Sequence, residues 1–230
     1  MKLPTLVEML DAGVHFGHKK QRSYPRARKY TYCLRDGIYV INLDLTLEKM
    51  QEALDFLSKS ANEGKTILLV GTKNQAKSVI VETAKKTEMP YVSNRWLGGT
   101  LTNFETIRKS IKYLEELEKL VGSDEFKAFT KNERMKTEKE IKKLHHTFDG
   151  ILTLSKLPDV LFALDAKEED IAIAEAIKKN IPVVAVCDTD ADPDKVDYPI
   201  PANDDALKSI EMIVNLIGEA IIEGKAKNKS

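Results

Sequence analysis

Thr66-Ile67-Leu68-Leu69-Val70-Gly71-Thr72-Lys73-Asn74-Gln75-Ala76-Lys77-Ser78 joins an unbroken apolar run to a glycine and then to a segment with helical spacing. A run of this kind, with no polar alternation, reads as a strand buried on both faces, as in a parallel sheet. The helix after it is expected over residues 75–87. Outward from there, residues 159–164 and 182–186 are two similar runs, separated by a helical segment over 168–179. Pro90-Tyr91-Val92 opens a further short strand, and 38–41 reads as a strand ahead of a helix over 45–61. In that helix Leu47, Met50, Ala53, Leu54 and Leu57 fall at helical spacing. A last helix is expected over about 205–223. Strands alternating with helices imply βαβ units and an α/β fold built on a doubly wound parallel sheet.

Residues 104–148 break that rhythm. Ile107, Ile111, Leu114, Leu117 and Val121 mark one amphipathic helix; Ile141, Leu144 and Phe148 mark a second. Thr130 and Glu133 predict a capping box at the start of the second, as Thr5 and Glu8 do for a short helix near the N-terminus. Two helices with narrow apolar stripes and charged outer faces predict an antiparallel hairpin standing off the sheet. The expected division is therefore a globular unit of residues 1–103 and 149–223, a coiled-coil hairpin insertion of 104–148, and a flexible tail of 224–230. Residues 1–36 form the N-terminal helix and arm.

The chain has 230 residues, 42% of them hydrophobic and 31% charged, the balance of a soluble globular protein. No apolar run is long enough for a signal peptide or a membrane span, which points to a cytoplasmic location without membrane association. Cys33 and Cys187 lack zinc-ligand spacing and are expected as reduced thiols. Net charge is +0, so bulk charge carries no argument for nucleic acid; its distribution does. Residues 12–35 contain no acid but hold Lys19, Lys20, Arg22, Arg26, Arg28, Lys29 and Arg35, interleaved with Tyr24, Tyr30 and Tyr32. Pro25 is expected to keep this arm extended. Aromatics among basic residues suit RNA backbone and base contacts. Residues 188–223, by contrast, are strongly acidic, which suggests two surfaces with different partners.

Three segments invite chemistry. The 71–78 loop matches the phosphate-loop pattern except at Ala76, where that pattern has its second glycine, so a degenerate nucleotide site is the enzyme-class alternative. His15 and His18 lie beside glycines, and Asp188, Asp190, Asp192, Asp204 and Asp205 crowd the far end of the chain. His18, Asp188 and Asp205 could hold a divalent metal, or the acids could serve as caps and turn residues, with Asp204 and Asp205 capping the last helix. His145 and His146 are expected at the surface. Ser93-Asn94-Arg95-Trp96-Leu97-Gly98-Gly99-Thr100-Leu101-Thr102-Asn103-Phe104 holds the single Trp and a Gly-Gly pair. It contains no general base or paired nucleophile, and Trp96 is either a core plug or an RNA contact.

Gly13-Val14-His15-Phe16-Gly17-His18, the 93–104 stretch, Leu157-Pro158-Asp159-Val160, the 187–193 segment and the 197–206 segment together resemble the bacterial form of universal small-subunit ribosomal protein two. The matches run from about residue 3 to 223. The resemblance implies a flavodoxin-like α/β/α sandwich with a protruding coiled coil, and a structural component of the small subunit without enzymatic activity, required cofactor or small-molecule substrate. It further implies partners in small-subunit ribosomal RNA and other small-subunit proteins, notably the OB-fold protein one, which brings in messenger RNA. On this reading Lys19, Lys20, Arg22, Arg26, Arg28 and Lys29 neutralise phosphates, and Arg95, Trp96, Thr100 and Asn103 make closer RNA or core contacts.

Overall fold

In the computed structural model, which describes residues 2–228, the first helix is α1 (Leu6–Asp11). Its capping box is complete: the Glu8 amide donates to Thr5 Oγ1, and the Thr5 amide donates to the Glu8 carboxylate at 2.6 Å. Strands β1 (Phe16–Lys19), β2 (Thr31–Arg35) and β3 (Ile38–Ile41) then form a small antiparallel sheet in the order β1-β3-β2. The strand expected at Ile38–Ile41 exists, but as the centre of this sheet and not as part of the parallel one. Asp36 and Gly37, both at positive φ, make the tight hairpin turn between β2 and β3. Between β1 and β2 the arm is not extended at Pro25. The proline opens a 3-10 helix, Pro25–Tyr30, at a first-turn position where a missing N–H is harmless.

The main sheet contains β4 (Ile67–Val70), β5 (Tyr91–Val92), β6 (Val160–Ala163), β7 (Val183–Cys187) and β8 (Tyr198–Pro201), all parallel, in the order β5-β4-β6-β7-β8. Counted within the sheet this is 2-1-3-4-5, the flavodoxin-like order. β8 was not expected, because Pro199 and Pro201 argue against a strand. It is an edge strand paired only with β7, the position where prolines are tolerated.

Successive side chains point to opposite faces of the sheet, and each face builds its own core. Leu69, Phe162, Val184 and Ile200 pack with α2 (Leu43–Asn62), α3 (Lys77–Thr87) and α8 (Leu207–Asn228). Leu68, Leu161, Val183 and Ala185 pack with α7 (Asp170–Lys178) and with residues from α4 (Phe104–Val121) and α6 (Lys131–Phe148). The result is an α/β/α sandwich. On α4 burial stops at Leu114, and on α6 only Phe148 is buried, so these helices are anchored at the sheet by Ile107, Ile111 and Phe148. A short helix, α5 (Asp124–Lys127), lies between them, and the Thr130–Glu133 capping box opens α6. The last helix does not end at Glu223. It continues to Asn228, with Gly224 so close to α2 that a Cβ there would lie 2.2 Å from the Ser58 carbonyl oxygen. The tail expected from 224 is thus helix as far as Asn228; Lys229 and Ser230 lie outside the described residues.

Candidate nucleic-acid interface and carboxylate cluster

The carboxyl ends of the parallel strands converge, as the doubly wound topology requires of a ligand-bearing edge. Gly71-Thr72-Lys73 follows β4, Asp165 follows β6, Asp188 follows β7, and Asp204-Asp205 follows β8. Lys73 Nζ sits among three of these carboxylates, 2.8 Å from Asp165 Oδ2 and 2.7 Å from both Asp204 Oδ1 and Asp205 Oδ1. Burial alone would lower the Lys73 ammonium, but Asp204, Asp165 and Asp205 outweigh it and raise it. Asp204 is 1% exposed. Burial, then repulsion from Asp165 and Asp188, pushes its carboxyl up against the pull of Lys73, and its Oδ2 has no hydrogen-bond partner.

His18 supplies the second cation. Its Nδ1 lies 3.2 Å from Asp188 Oδ1 without the alignment of a directed hydrogen bond. Its Nε2 lies 3.6 Å from Asp190 Oδ2 and 3.5 Å from Asp205 Oδ2. The close Asp188 carboxylate lifts the imidazole to about 9, with burial opposing and Asp190 and Asp204 adding. The metal-ligand set suggested by sequence is therefore assembled with one change. Ligand atoms of His18, Asp188 and Asp190 all fall within 4.8 Å of one another, with Asp190 also paired with Lys167 at 2.7 Å, while Asp205 is held by Lys73. Nor do Asp204 and Asp205 cap α8. Asn203 Oδ1 accepts from the Asp205 and Ala206 amides instead, and the Ser209 hydroxyl donates to the Asn203 carbonyl.

The same geometry removes the nucleotide reading. Ala76 lies in the right-handed helical region with φ −84°, and α3 starts at Lys77 without a side-chain cap. Lys73, not Lys77, reaches the sheet edge, and a phosphate there would face Asp165, Asp204 and Asp205. Lys77 lines a separate groove with Lys85, Asn94 and His146.

The basic arm and the acidic segment, expected as separate surfaces, are one. The Tyr24 amide donates to the Thr189 carbonyl and the His18 amide to Thr189 Oγ1, both at 2.7 Å. Gly17 permits this approach, since a Cβ there would meet Thr189 Cγ2 at 2.6 Å. Arg26 Nη1 lies 3.5 Å from Asp192 Oδ2, and Lys29 is ion-paired with Asp194. Arg28 lies over the Tyr39 ring, 6.0 Å from its centroid. Lys19, Lys20 and Arg22 are exposed and have no ion pair among the described residues.

The 93–104 loop is organised from inside by a residue that sequence reasoning missed. The Glu175 carboxylate, on α7, accepts from Trp96 Nε1 at 3.2 Å, from the amides of Gly99 (2.7 Å), Leu101 (2.9 Å) and Thr102 (2.9 Å), and from Thr102 Oγ1 at 3.0 Å. Burial would raise this carboxyl; the amides of Thr102, Gly99 and Leu101, with the Trp96 indole, lower it. Gly99 takes φ +96°, which turns its N–H toward the carboxylate at no Cβ cost.

Comparison with known proteins bears directly on this arrangement. The model of the Ribosomal protein S2 family matches residues 9–224. The chain belongs to the ribosomal protein S2 family. It is 47% identical over 218 residues to small ribosomal subunit protein uS2 of Dictyoglomus thermophilum, covering 95% of this chain and 89% of that protein. It is 46% identical over 225 residues to the uS2 protein of Coprothermobacter proteolyticus, covering 98% of this chain and 84% of that protein.

In this S2-family chain the residues expected to touch RNA divide sharply. Trp96 is 9% exposed and bonded to Glu175; Thr100 is 3% exposed, with its hydroxyl donating to the Leu97 carbonyl. Both side chains are buried and hydrogen-bonded within the chain, as core contacts are. Arg95 and Asn103 are exposed beside them, and Arg95 has no ion pair among the described residues. His146 is exposed as expected, but His145 bridges two segments, with Nε2 2.8 Å from Glu118 Oε1 and Nδ1 2.5 Å from Asp149 Oδ1.

Proposed function

We propose that this chain is a structural, non-enzymatic component of the bacterial small ribosomal subunit that binds small-subunit ribosomal RNA in the cytoplasm. Membership of the S2 family is the observation that carries this reading, and the arm gives it a physical basis. Lys19, Lys20, Arg22 and Arg28 present positive charge to solvent, Arg26 and Lys29 present it from within ion pairs, and Arg95 and Asn103 add a second contact. Residues 1–103 and 149–228 act as the globular unit and 104–148 as a coiled-coil hairpin insertion. No helix among the described residues is long and apolar enough to cross a membrane.

The OB-fold protein one is the partner we assign to the groove lined by Leu10, Phe16, Tyr32 and Val40. There Leu10, Phe16 and Tyr32 are 48%, 53% and 76% exposed. Exposed apolar side chains around one groove suit a protein better than RNA. The acidic 188–205 segment is less suited, because its carboxylates already face Lys73, His18, Arg26 and Lys29. His18, Asp188 and Asp190 would hold a divalent cation, which would have to displace the imidazole proton of His18 and the Lys167 ammonium on Asp190. Such an ion would cross-link the arm to the sheet edge; its loss on Asp188→Asn, read by calorimetric titration of the metal, tests this.

Co-sedimentation with small ribosomal subunits, at a salt concentration that strips adventitious basic proteins, tests the function itself. Retention at stoichiometric level is expected. Release together with such proteins would overturn it.

A further inference from the structure

The middle of α7, Ile171-Ala172-Ile173-Ala174-Glu175-Ala176-Ile177, holds a single charge, Glu175. That charge points inward, buried against the Trp96 loop, while Ala172, Ile173 and Ala176 pack on the sheet. The outward side is apolar instead. Ile171 is 55% exposed and Ile177 48%, and Ala174 between them is exposed too. A surface helix ordinarily turns its charges to water and its apolar residues to the core, and a helix that is apolar all round is a buried one. α7 thus has the composition of a helix covered on both sides, and this chain covers one of them.

The uncovered side adjoins a groove in which Ala174, Ile177 and Val196 share the lining with Asp170, Lys195 and Asp192, the last turned to Arg26. Charge on the outward side is confined to the helix ends. Asp170 stands at the start of α7, Lys178 at its end and Lys179 just beyond, all three exposed. Neither of these two lysines has an ion-pair partner among the described residues. The one acid within three or four residues of them, Glu175, is engaged by the loop amides.

We propose that the outward face of α7 docks an amphipathic helix of another small-subunit protein, antiparallel to α7, with its apolar stripe on Ile171, Ala174 and Ile177. The docked helix carries acids in its first turn, against Lys178 and Lys179, and a cation in its last turn, against Asp170. The charge order sets the direction: acids favour a helix's first turn and cations its last, so an antiparallel partner matches both ends. The apolar middle selects protein over RNA, because Ile171 and Ile177 offer a phosphate no donor. This rests on the ribosomal reading above and adds a protein contact separate from the groove at Leu10 and Phe16.

The test compares binding of full-chain variants to small subunits isolated from cells depleted of this chain and to protein-free small-subunit ribosomal RNA. I171Q/I177Q alters exposed positions alone, and glutamine suits a helix at least as well as isoleucine, so thermal melting should confirm the fold. Its affinity for the depleted subunits should fall by about tenfold or more, with wild-type affinity for the free RNA. K178E/K179E should weaken subunit binding in the same way, and K178R/K179R should not. A photo-crosslinking benzoylphenylalanine in place of Ile177 should form its adduct with a different small-subunit protein. Wild-type subunit binding by I171Q/I177Q, no adduct, or an adduct with RNA or with a second copy of this chain overturns the proposal and leaves the ribosomal reading standing. Equal loss of affinity for the free RNA would give the face to RNA and likewise overturn it. Failure of the wild-type chain to bind the depleted subunits would overturn both.

Discussion

Trp96 and Glu175 lie on different segments of the chain, yet the indole N–H donates to the buried carboxylate at 3.2 Å. Three backbone amides and a hydroxyl of the same loop converge on that carboxylate, so α7 dictates the path by which the chain enters α4. Glu175→Ala should destabilise the fold by about 3 kcal/mol or more, because it strands several buried donors at once. Glu175→Gln should cost less, roughly 1–2 kcal/mol, since one amide oxygen still accepts. Urea unfolding followed by Trp96 fluorescence reads both. A loss under about 0.5 kcal/mol for the alanine variant would contradict this account of the loop.

Two glycines near the same loop should respond in opposite ways. Gly98 lies outside the left-handed region, and a Cβ on it would meet nothing within 4 Å. Gly98→Ala is expected to be neutral, or stabilising by up to about 1 kcal/mol. A Cβ on Gly150 would lie 2.0 Å from the Tyr91 carbonyl oxygen on edge strand β5. Gly150→Ala should therefore destabilise by about 1–3 kcal/mol or more. Thermal unfolding of the two variants side by side checks the contrast.

The legible and illegible parts of the fold differ in physical kind. Strands β4, β6 and β7 were visible because burial on both faces leaves an unbroken apolar run. β8 was hidden by Pro199 and Pro201, and β1 and β2 by exposed residues such as Lys19, Tyr32 and Arg35 that carry no buried pattern. Both capping boxes were visible because their chemistry is local. Lys73 and Glu175 were not, because each acts on groups that only the folded chain brings near. Within the phosphate-loop frame Lys77 draws the eye, and it takes the strand order to place Lys73 at the edge. The pairing of Arg26 and Lys29 with Asp192 and Asp194 was invisible for the same reason, although each charge run stood out alone.

Lys73 is the hub of the carboxylate cluster, and its removal should depend on pH in a definite sense. Lys73→Met leaves Asp165, Asp204 and Asp205 without their shared cation, a loss of about 3–5 kcal/mol at neutral pH. The Asp204 carboxyl, already raised by burial and by Asp165 and Asp188, would rise further without the lysine. A carboxyl whose folded pKa exceeds its unfolded value binds the extra proton in the folded state. Its stabilising contribution is complete below the unfolded pKa and is lost as pH rises through the folded one. The deficit of the variant should thus be smaller at pH 5 than at pH 8, as urea midpoints at the two values would show. Equal deficits would mean that the carboxylates do not take up the proton.

His145 offers a second pH dependence, local to the pairing of α4 with α6. Asp149 first, then Glu118 across the helix pair, raise its imidazole against the effect of burial. A histidine with raised folded pKa stabilises fully below about pH 6.5 and loses that contribution as pH climbs through the folded value. The pair is partly solvated, so the effect should be no more than about 1 kcal/mol. Thermal melts from pH 6 upward should show declining stability in the wild-type chain and a flatter profile in His145→Gln. Identical profiles would mean that the bridge does not help to hold α4 and α6 together.

The arm should reveal in its salt dependence which of its cations are free. Lys20 and Arg22 form no ion pair among the described residues, so each would carry counterions that an RNA phosphate displaces. Lys20→Gln and Arg22→Gln should each flatten the slope of log affinity against log salt by about 0.7 to 0.9. Arg26 is already partly neutralised by Asp192 at 3.5 Å and Asp194 at 3.8 Å. Arg26→Gln should therefore flatten the slope visibly less, and Asp192→Asn should strengthen RNA binding by freeing the guanidinium. If Arg26→Gln instead matched Lys20→Gln, the guanidinium must leave the aspartates when RNA arrives. The 192–194 turn would then hold the arm in place only until the phosphate backbone takes over.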